Sequence, residues 1–232
     1  MKKGQLFQVV GFALATAMSG CGLTQQVQVS NQNYCPFLGS SLCAKLTPTN
    51  NPNDVDLRWV NPNAQWTKYN KVLIEPVGFW AGEGSKVSAA DQRTLTTFFS
   101  KVLEEQLSKK FQVVTQPGPG VMAISVALED ATTSTPVLRS LSLVEPHLRL
   151  IASLKYLATG TFPFVGSAQA EAKITDSVTG EVLAAAVSKR VGGGNPKDAA
   201  QWELGDAENA ITAWSQQLTD RLVGWTQGTA KP

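Results

Sequence analysis

The histidine and cysteines are the residues of this sequence with the most direct capacity for chemistry. His147 is the single histidine among 232 residues, so a Ser-His-Asp or Cys-His site would have to use it. It follows Glu145-Pro146 in a polar stretch, and neither a Gly-x-Ser-x-Gly nor a His-Glu-x-x-His motif is present. One histidine cannot complete a typical catalytic zinc site. We therefore predict no catalytic residue, no metal and no cofactor, with His147 facing solvent.

Paired carboxylates are the other route to catalysis, because two of them can cleave a glycosidic bond. The candidates are Glu171, Asp176 and Glu181 on a predicted hairpin, and Glu104 and Glu105 on a predicted helix. Glu104 and Glu105 interrupt an apolar face and should be solvated. Asp176 flanks a turn, where its carboxylate can bind backbone amides. We expect no enzyme, and keep a periplasmic hydrolase of envelope glycans or lipids as the alternative.

The N-terminus has the pattern of a lipoprotein signal. Lys2 and Lys3 precede a mostly apolar run, 6–18, which as a helix would be about 20 Å long and too short for a bilayer core of about 30 Å. The run ends at Met18-Ser19-Gly20-Cys21, which resembles a bacterial lipobox. The resemblance implies removal of residues 1–20 and acylation of Cys21 with fatty acids such as palmitate. The alternative is an ordinary signal peptide that contains a cysteine.

Removal of this signal changes the charge of the chain. The full sequence has 20 Lys+Arg and 18 Asp+Glu, so loss of Lys2 and Lys3 leaves 18 of each. A chain without surplus positive charge is a poor nucleic-acid binder, so we predict no nucleic-acid partner. Gly22 after the acylated cysteine resembles the default outer-membrane routing. We therefore expect a lipid anchor in the outer membrane and a domain that faces the periplasm.

Cys35 and Cys43 are the two remaining cysteines. In an oxidising compartment, a pair eight residues apart among Tyr34, Pro36 and Gly39 indicates a small disulfide loop. Free thiols, or bonds to another chain, are the alternatives. The flanking segment 21–56 is rich in Gln, Asn, Thr and Pro, which predicts a polar tether that holds the domain about 30–35 Å from the membrane.

Residues 57–228 are predicted to form a single α+β domain. Strands are expected at 71–77, 111–114 and 121–128, and a hairpin at 164–191 that turns at 176–180. Two long amphipathic helices should lie mainly on one face of a mixed or antiparallel sheet of about five strands. The apolar residues that define these helices recur at three- and four-residue steps: Leu95, Phe98, Phe99, Val102, Leu103 and Leu107 in one, and Leu204, Ala207, Ile211, Trp214, Leu218, Leu222 and Trp225 in the other.

Three segments in this order carry a resemblance to a known family: DLRWVNPNAQWTKYNKVLIEPVGFW at 56–80, PGPGVMAISVAL at 117–128, and FVGSAQAEAKITDSVTGEVLAAAVSKRVGG at 164–193. They resemble the bacterial lipoprotein family catalogued as domain of unknown function 3313. The resemblance spans nearly the whole mature domain. It implies no activity and no catalytic residues.

Aromatic side chains are the remaining candidates for a binding site. Phe79 and Trp80 follow the first predicted strand, and Phe162 and Phe164 open the hairpin. Either pair could form an exposed patch for a partner, or could pack beneath loops at the edge of the core. We expect a non-enzymatic lipoprotein that binds an envelope protein or a cell-wall component. A passive structural lipoprotein is a further alternative.

Overall fold

A computed structural model describes residues 24–27, 35–49, 51, 54–80, 87–132, 167–192 and 205–232. The predicted site residues Cys21, His147, Phe162 and Phe164 lie outside these ranges. Within the described residues, no helix is both long enough and apolar enough to cross a membrane.

The architecture is α+β, as predicted, but its sheet is larger than expected. The described strands are β1 (Thr24–Val27), β2 (Thr47–Pro48), β3 (Leu57–Val60), β4 (Lys71–Ile74), β5 (Gly78–Phe79), β6 (Gln112–Val114), β7 (Val121–Thr132), β8 (Ser167–Asp176) and β9 (Val182–Gly192). The described helices are α1 (Ser40–Cys43), α2 (Ala89–Leu107), α3 (Gly205–Thr226) and a 3₁₀ turn at Trp66–Lys68.

The nine described strands form one mixed sheet in the order β2-β3-β9-β8-β7-β4-β6. β1 also pairs with β9, and β5 also pairs with β7. β4 runs parallel to β6 and β7, whereas β7, β8 and β9 are antiparallel neighbours. The prediction of about five strands was too low because the short strands β1 and β3 add to β9, β2 adds to β3, and β5 adds to β7.

The two long helices cover one face of this sheet, which we call the helix face. Ser88 caps α2 by accepting a hydrogen bond from the Asp91 N–H at 3.1 Å, as its capping-box sequence predicts. The core beneath the helices joins strand residues to helix residues; it includes Val72, Met122, Ile124, Leu128, Ile174, Leu95, Leu103, Leu107, Ile211, Leu222 and Trp225. Periodicity therefore identified the buried stripes of both helices correctly, except at Leu204, which lies outside the described residues.

The β8–β9 turn has the predicted chemistry. The Asp176 carboxylate accepts hydrogen bonds from the N–H groups of Val178 and Thr179 at 3.0 and 2.9 Å. Gly180 has a φ of 71°, a left-handed conformation that glycine adopts without steric cost. The Asp176 carboxylate therefore stabilises the turn.

Parts of the segment predicted as a tether are ordered against the sheet. β1 lies beside β9, and residues 35–49 form a loop whose two cysteines are joined with an S–S distance of 2.00 Å. This disulfide loop packs against Leu57 and Val187 in a small second apolar cluster. Polar composition did not prevent ordering, since backbone hydrogen bonds to a strand edge require no apolar side chains.

Candidate functional site

The sheet face opposite the long helices carries the candidate site. Along β8 and β9, Glu171, Lys173 and Val187 alternate with residues that pack beneath the helices, so they belong to this second face. The disulfide loop lies over it. We call it the open face.

Glu171 holds the disulfide loop in place. Its side chain is completely buried. One carboxylate oxygen accepts a hydrogen bond from the Leu38 N–H at 2.7 Å and the other accepts one from the Phe37 N–H at 3.4 Å. Burial raises the pKa of Glu171, while these two backbone donors partly offset the rise. Both carboxylate oxygens therefore hydrogen-bond to backbone N–H groups of the disulfide loop.

An aromatic pair lies beside this anchor. The Phe37 ring meets the Trp80 ring edge to face, with centroids 6.1 Å apart. The Lys173 ammonium lies 5.2 Å from the centroid of Phe37, within the range of a cation–π contact. We call Phe37, Trp80 and Lys173 the open-face patch.

Trp80 is the exposed member of this patch. Its N–H donates to the Leu128 carbonyl at 2.7 Å, which extends the pairing of β5 with β7. Its indole is folded back over Gly78, where a Cβ would lie 3.4 Å from Nε1. Trp80 is nevertheless 48% exposed, and Val178 is the other large apolar side chain exposed in the described ranges. Its backbone is fixed by β7 and its indole packs against Phe37, while almost half of the side chain remains open to solvent.

The other predicted aromatics have different positions. Phe79 neighbours Trp80 in sequence, but because side chains alternate along a strand it lies on the helix face and packs partly against the main core. It does not contribute to the open-face patch. Phe37 was missed by sequence reasoning, because only the disulfide loop brings it across the sheet to Trp80.

The other carboxylates considered for hydrolysis each lie in a different environment. Asp176 accepts a hydrogen bond from the Tyr69 hydroxyl at 2.9 Å and pairs with Lys68 at 3.2 Å. Its turn amides, the Thr179 N–H first, hold its pKa well below the usual range. Glu181 accepts a hydrogen bond from the Asn61 amide at 2.7 Å. Glu104 and Glu105 are exposed on α2.

The open face also has polar contacts between its strands. The Ser125 hydroxyl donates to Glu75, and the Gln169 amide donates to Glu129, which is buried. In the described ranges, no three His, Cys, Asp or Glu side chains come close enough together to hold a metal ion.

A narrow cleft lies on the helix face between α3 and the β8–β9 hairpin. Ala172, Ala184 and Ala186 line it, and its volume is about 60 Å³. The Asp54 carboxylate borders it and pairs with Arg58 at 3.0 Å and Arg221 at 2.8 Å. Small-molecule sites enclose about 300–1,000 Å³, so this cleft is too small for a typical ligand.

These features define an α+β domain whose sheet is covered by two helices on one side and by a disulfide loop on the other. A family model described as "Protein of unknown function (DUF3313)" matches residues 33–218. The chain therefore belongs to this family, in agreement with the resemblance noted in the sequence.

Solved structures with distant similarity were also found. A PelC dodecamer from Paraburkholderia phytofirmans is 10% identical, with a TM-score of 0.37, over 69% of this chain and 94% of that one. A DUF330 protein from Xanthomonas campestris is 12% identical, with a TM-score of 0.41, over 74% and 95%. A candidate lipoprotein from Caulobacter crescentus CB15 is 11% identical, with a TM-score of 0.34, over 68% and 94%. These similarities are too distant to transfer an activity or an assembly. No curated protein matches the chain.

Proposed function

We propose that this protein is an outer-membrane lipoprotein, anchored through acyl chains on Cys21, whose periplasmic domain binds another envelope protein. The lipobox supports the anchor. The open-face patch supports the binding role, because the Trp80 indole is exposed although it packs against the Phe37 ring. The domain acts in this proposal as a non-enzymatic module of envelope assembly or maintenance.

The single observation that carries the binding role is the exposed indole of Trp80. Tryptophan is enriched among the residues that dominate binding energy at protein interfaces, especially where surrounding contacts exclude water. Phe37 supplies an adjacent apolar ring, and Lys173 supplies a positive charge. A partner with an apolar side chain beside an acidic group would match this surface. We therefore favour a protein over a cell-wall glycan.

Site-specific photocrosslinking in intact cells tests this proposal. A photoreactive amino acid replaces Trp80 in one strain and Val178 in another. Val178 is the matched control, because it is 64% exposed but lies in the turn between β8 and β9. We expect one or a few discrete protein adducts from position 80 and none from position 178. Adducts with peptidoglycan alone at position 80 would refute a protein partner and indicate a cell-wall partner. Equal crosslinking from positions 80 and 178 would refute a specific binding patch.

The anchor has its own test. Replacing Cys21 by Ser should abolish fatty-acid labelling and leave the precursor uncleaved. Normal labelling of Cys21→Ser would refute acylation at this position, independently of the crosslinking result.

A further inference from the structure

The first described strand is firmly attached to the domain. β1 pairs antiparallel with the end of β9, from Thr24 opposite Gly192 to Val27 opposite Lys189. Side chains strengthen this pairing: Arg190 Nε donates to the Thr24 hydroxyl at 2.8 Å, and the Gln26 amide donates to Asp56 at 3.1 Å. Thr24 is itself buried. Thr24 is therefore held against the folded domain.

Only Gly22 and Leu23 separate Thr24 from Cys21. Three residue steps span at most about 11 Å in a fully extended chain. A tether from Cys21 to residue 56 would allow about 30–35 Å. Because Thr24 pairs with β9, only Gly22 and Leu23 lie between Cys21 and the sheet. The acyl chains and the folded sheet must therefore be close neighbours.

The sheet ladder shows which end of the domain this linker reaches. Gly192 pairs with Thr24, and its neighbour Val191 pairs with Ser167, which in turn pairs with Thr132. We call this edge, formed by Thr24, Thr132, Ser167 and Gly192, the anchor end. The opposite end is the turn that contains Val178. At about 3.3 Å per step, the ten residues of β8 separate the two ends by about 30 Å.

We propose that the anchor end faces the lipid bilayer, with the strands of the β7–β9 meander rising from the membrane and the Val178 turn farthest from it. The surface that this end faces is the lipid headgroup layer. The inference rests on the acylation of Cys21 included in the proposed function, and adds the orientation that acylation alone leaves open.

The orientation also locates the open-face patch. Leu128, whose carbonyl binds the Trp80 N–H, precedes Thr132 by four residues. Trp80 therefore lies about 13 Å along the strand from the anchor end. A partner that contacts Trp80 would approach from the side of the domain and close to the membrane surface.

Fluorescence quenching in vesicles tests the orientation. The full acylated protein carries a thiol-reactive fluorophore at Ser167→Cys or at Val178→Cys, labelled without reduction so that the Cys35–Cys43 disulfide is retained. Vesicles contain a lipid with a nitroxide on its headgroup. Because nitroxide quenching acts only at short range, we expect several-fold stronger quenching at position 167 than at 178. Near-UV circular dichroism confirms that each labelled protein retains its fold.

A linker insertion provides the matched variant. A Gly/Ser linker of about 12 residues between Leu23 and Thr24 adds about 20 Å of reach. It should lower the quenching at position 167 to the level at 178. Equal quenching at 167 and 178 in the protein without the insertion would overturn the orientation.

Intact-mass measurement separates the two proposals. Acylated Cys21 with equal quenching at both positions refutes the orientation and leaves the anchor standing. A mass that shows no acyl group refutes the anchor, and with it the reason for the orientation.

Discussion

The two faces of the sheet are stabilised by different means. On the helix face, two long helices bury a continuous apolar core that runs from the strands into α2 and α3. On the open face, the apolar cluster is confined to Cys35, Cys43, Leu57 and Val187, with a disulfide and a buried carboxylate beside it. The comparison teaches that the helix face supplies most of the stability, so that the open face can leave Trp80 accessible.

The largest expected effect is on the helix face. Leu103 is 1% exposed, and Leu103→Ala should lower the free energy of unfolding by about 3–4 kcal/mol through lost burial and a residual cavity. Leu38→Ala is the matched change on the open face, where Leu38 is only partly buried, and should cost about 1 kcal/mol. Urea unfolding measures both. Equal losses in the free energy of unfolding would contradict the larger contribution of the helix face to stability.

Removal of the disulfide is the next largest effect. Loop-closure entropy for a nine-residue loop gives about 2.5 kcal/mol, so Cys35→Ser/Cys43→Ser should lose about that amount. Thiol alkylation of the unchanged protein, which should find both cysteines blocked until reduction, provides the control. A loss as large as that of Leu103→Ala would show that the open face contributes more than its small cluster indicates.

Asp176 should stabilise the protein in a pH-dependent manner. Asp176→Asn removes a charge that accepts hydrogen bonds from turn amides and from Tyr69, and should cost about 1.5 kcal/mol at pH 7. Because the folded-state pKa of Asp176 lies below its unfolded value of about 3.9, its contribution is complete above that pH and declines as the pH falls further. Urea unfolding at pH 7 and pH 3 should therefore show a smaller difference between the two proteins at pH 3.

Glu171 should respond to pH in the opposite direction. Burial raises its folded-state pKa, so the charged carboxylate carries a penalty that protonation relieves as the pH falls through that raised value. The side chain in Glu171→Gln does not titrate, so this variant gains no stability from protonation as the pH falls. We expect a cost below about 1 kcal/mol at pH 7 and a larger cost near pH 4. A cost that shrinks with acidification, as for Asp176→Asn, would contradict the assigned environment.

Trp80→Ala should have the smallest effect on stability. An exposed side chain outside the core changes the free energy of unfolding by about 0.5 kcal/mol or less. Binding of the partner should nevertheless be lost, which chemical crosslinking of the Trp80→Ala protein in intact cells can follow without a second substitution in the patch. A large loss of stability in Trp80→Ala would mean that the indole serves the fold and not a partner.

Much of the helix face could be predicted from the sequence. The apolar positions of α2 and α3 repeat with the helical period, and the Ser88 cap and the Asp176–Gly180 turn are local patterns. Such features depend on residues near one another in the chain, so one sequence is sufficient to identify them.

The open face could be predicted only in part. Trp80 was a candidate and the Cys35–Cys43 pairing was expected, but their proximity was not. The burial of Glu171 was not predicted, because nothing nearby in the sequence indicates that a loop more than 130 residues earlier covers it. β1 and β3 were missed because both add to β9 mainly through backbone hydrogen bonds.

The sequence by itself determined the lipoprotein-like N-terminus, the helical stripes and the hairpin turn, since each is a local pattern of charge, polarity or backbone preference. Only the tertiary structure decided that the N-terminal segment joins β9, that Glu171 is buried, and that Phe37 meets Trp80. These depend on contacts between distant parts of the chain, whose formation is governed by backbone pairing and by the shape of the finished sheet.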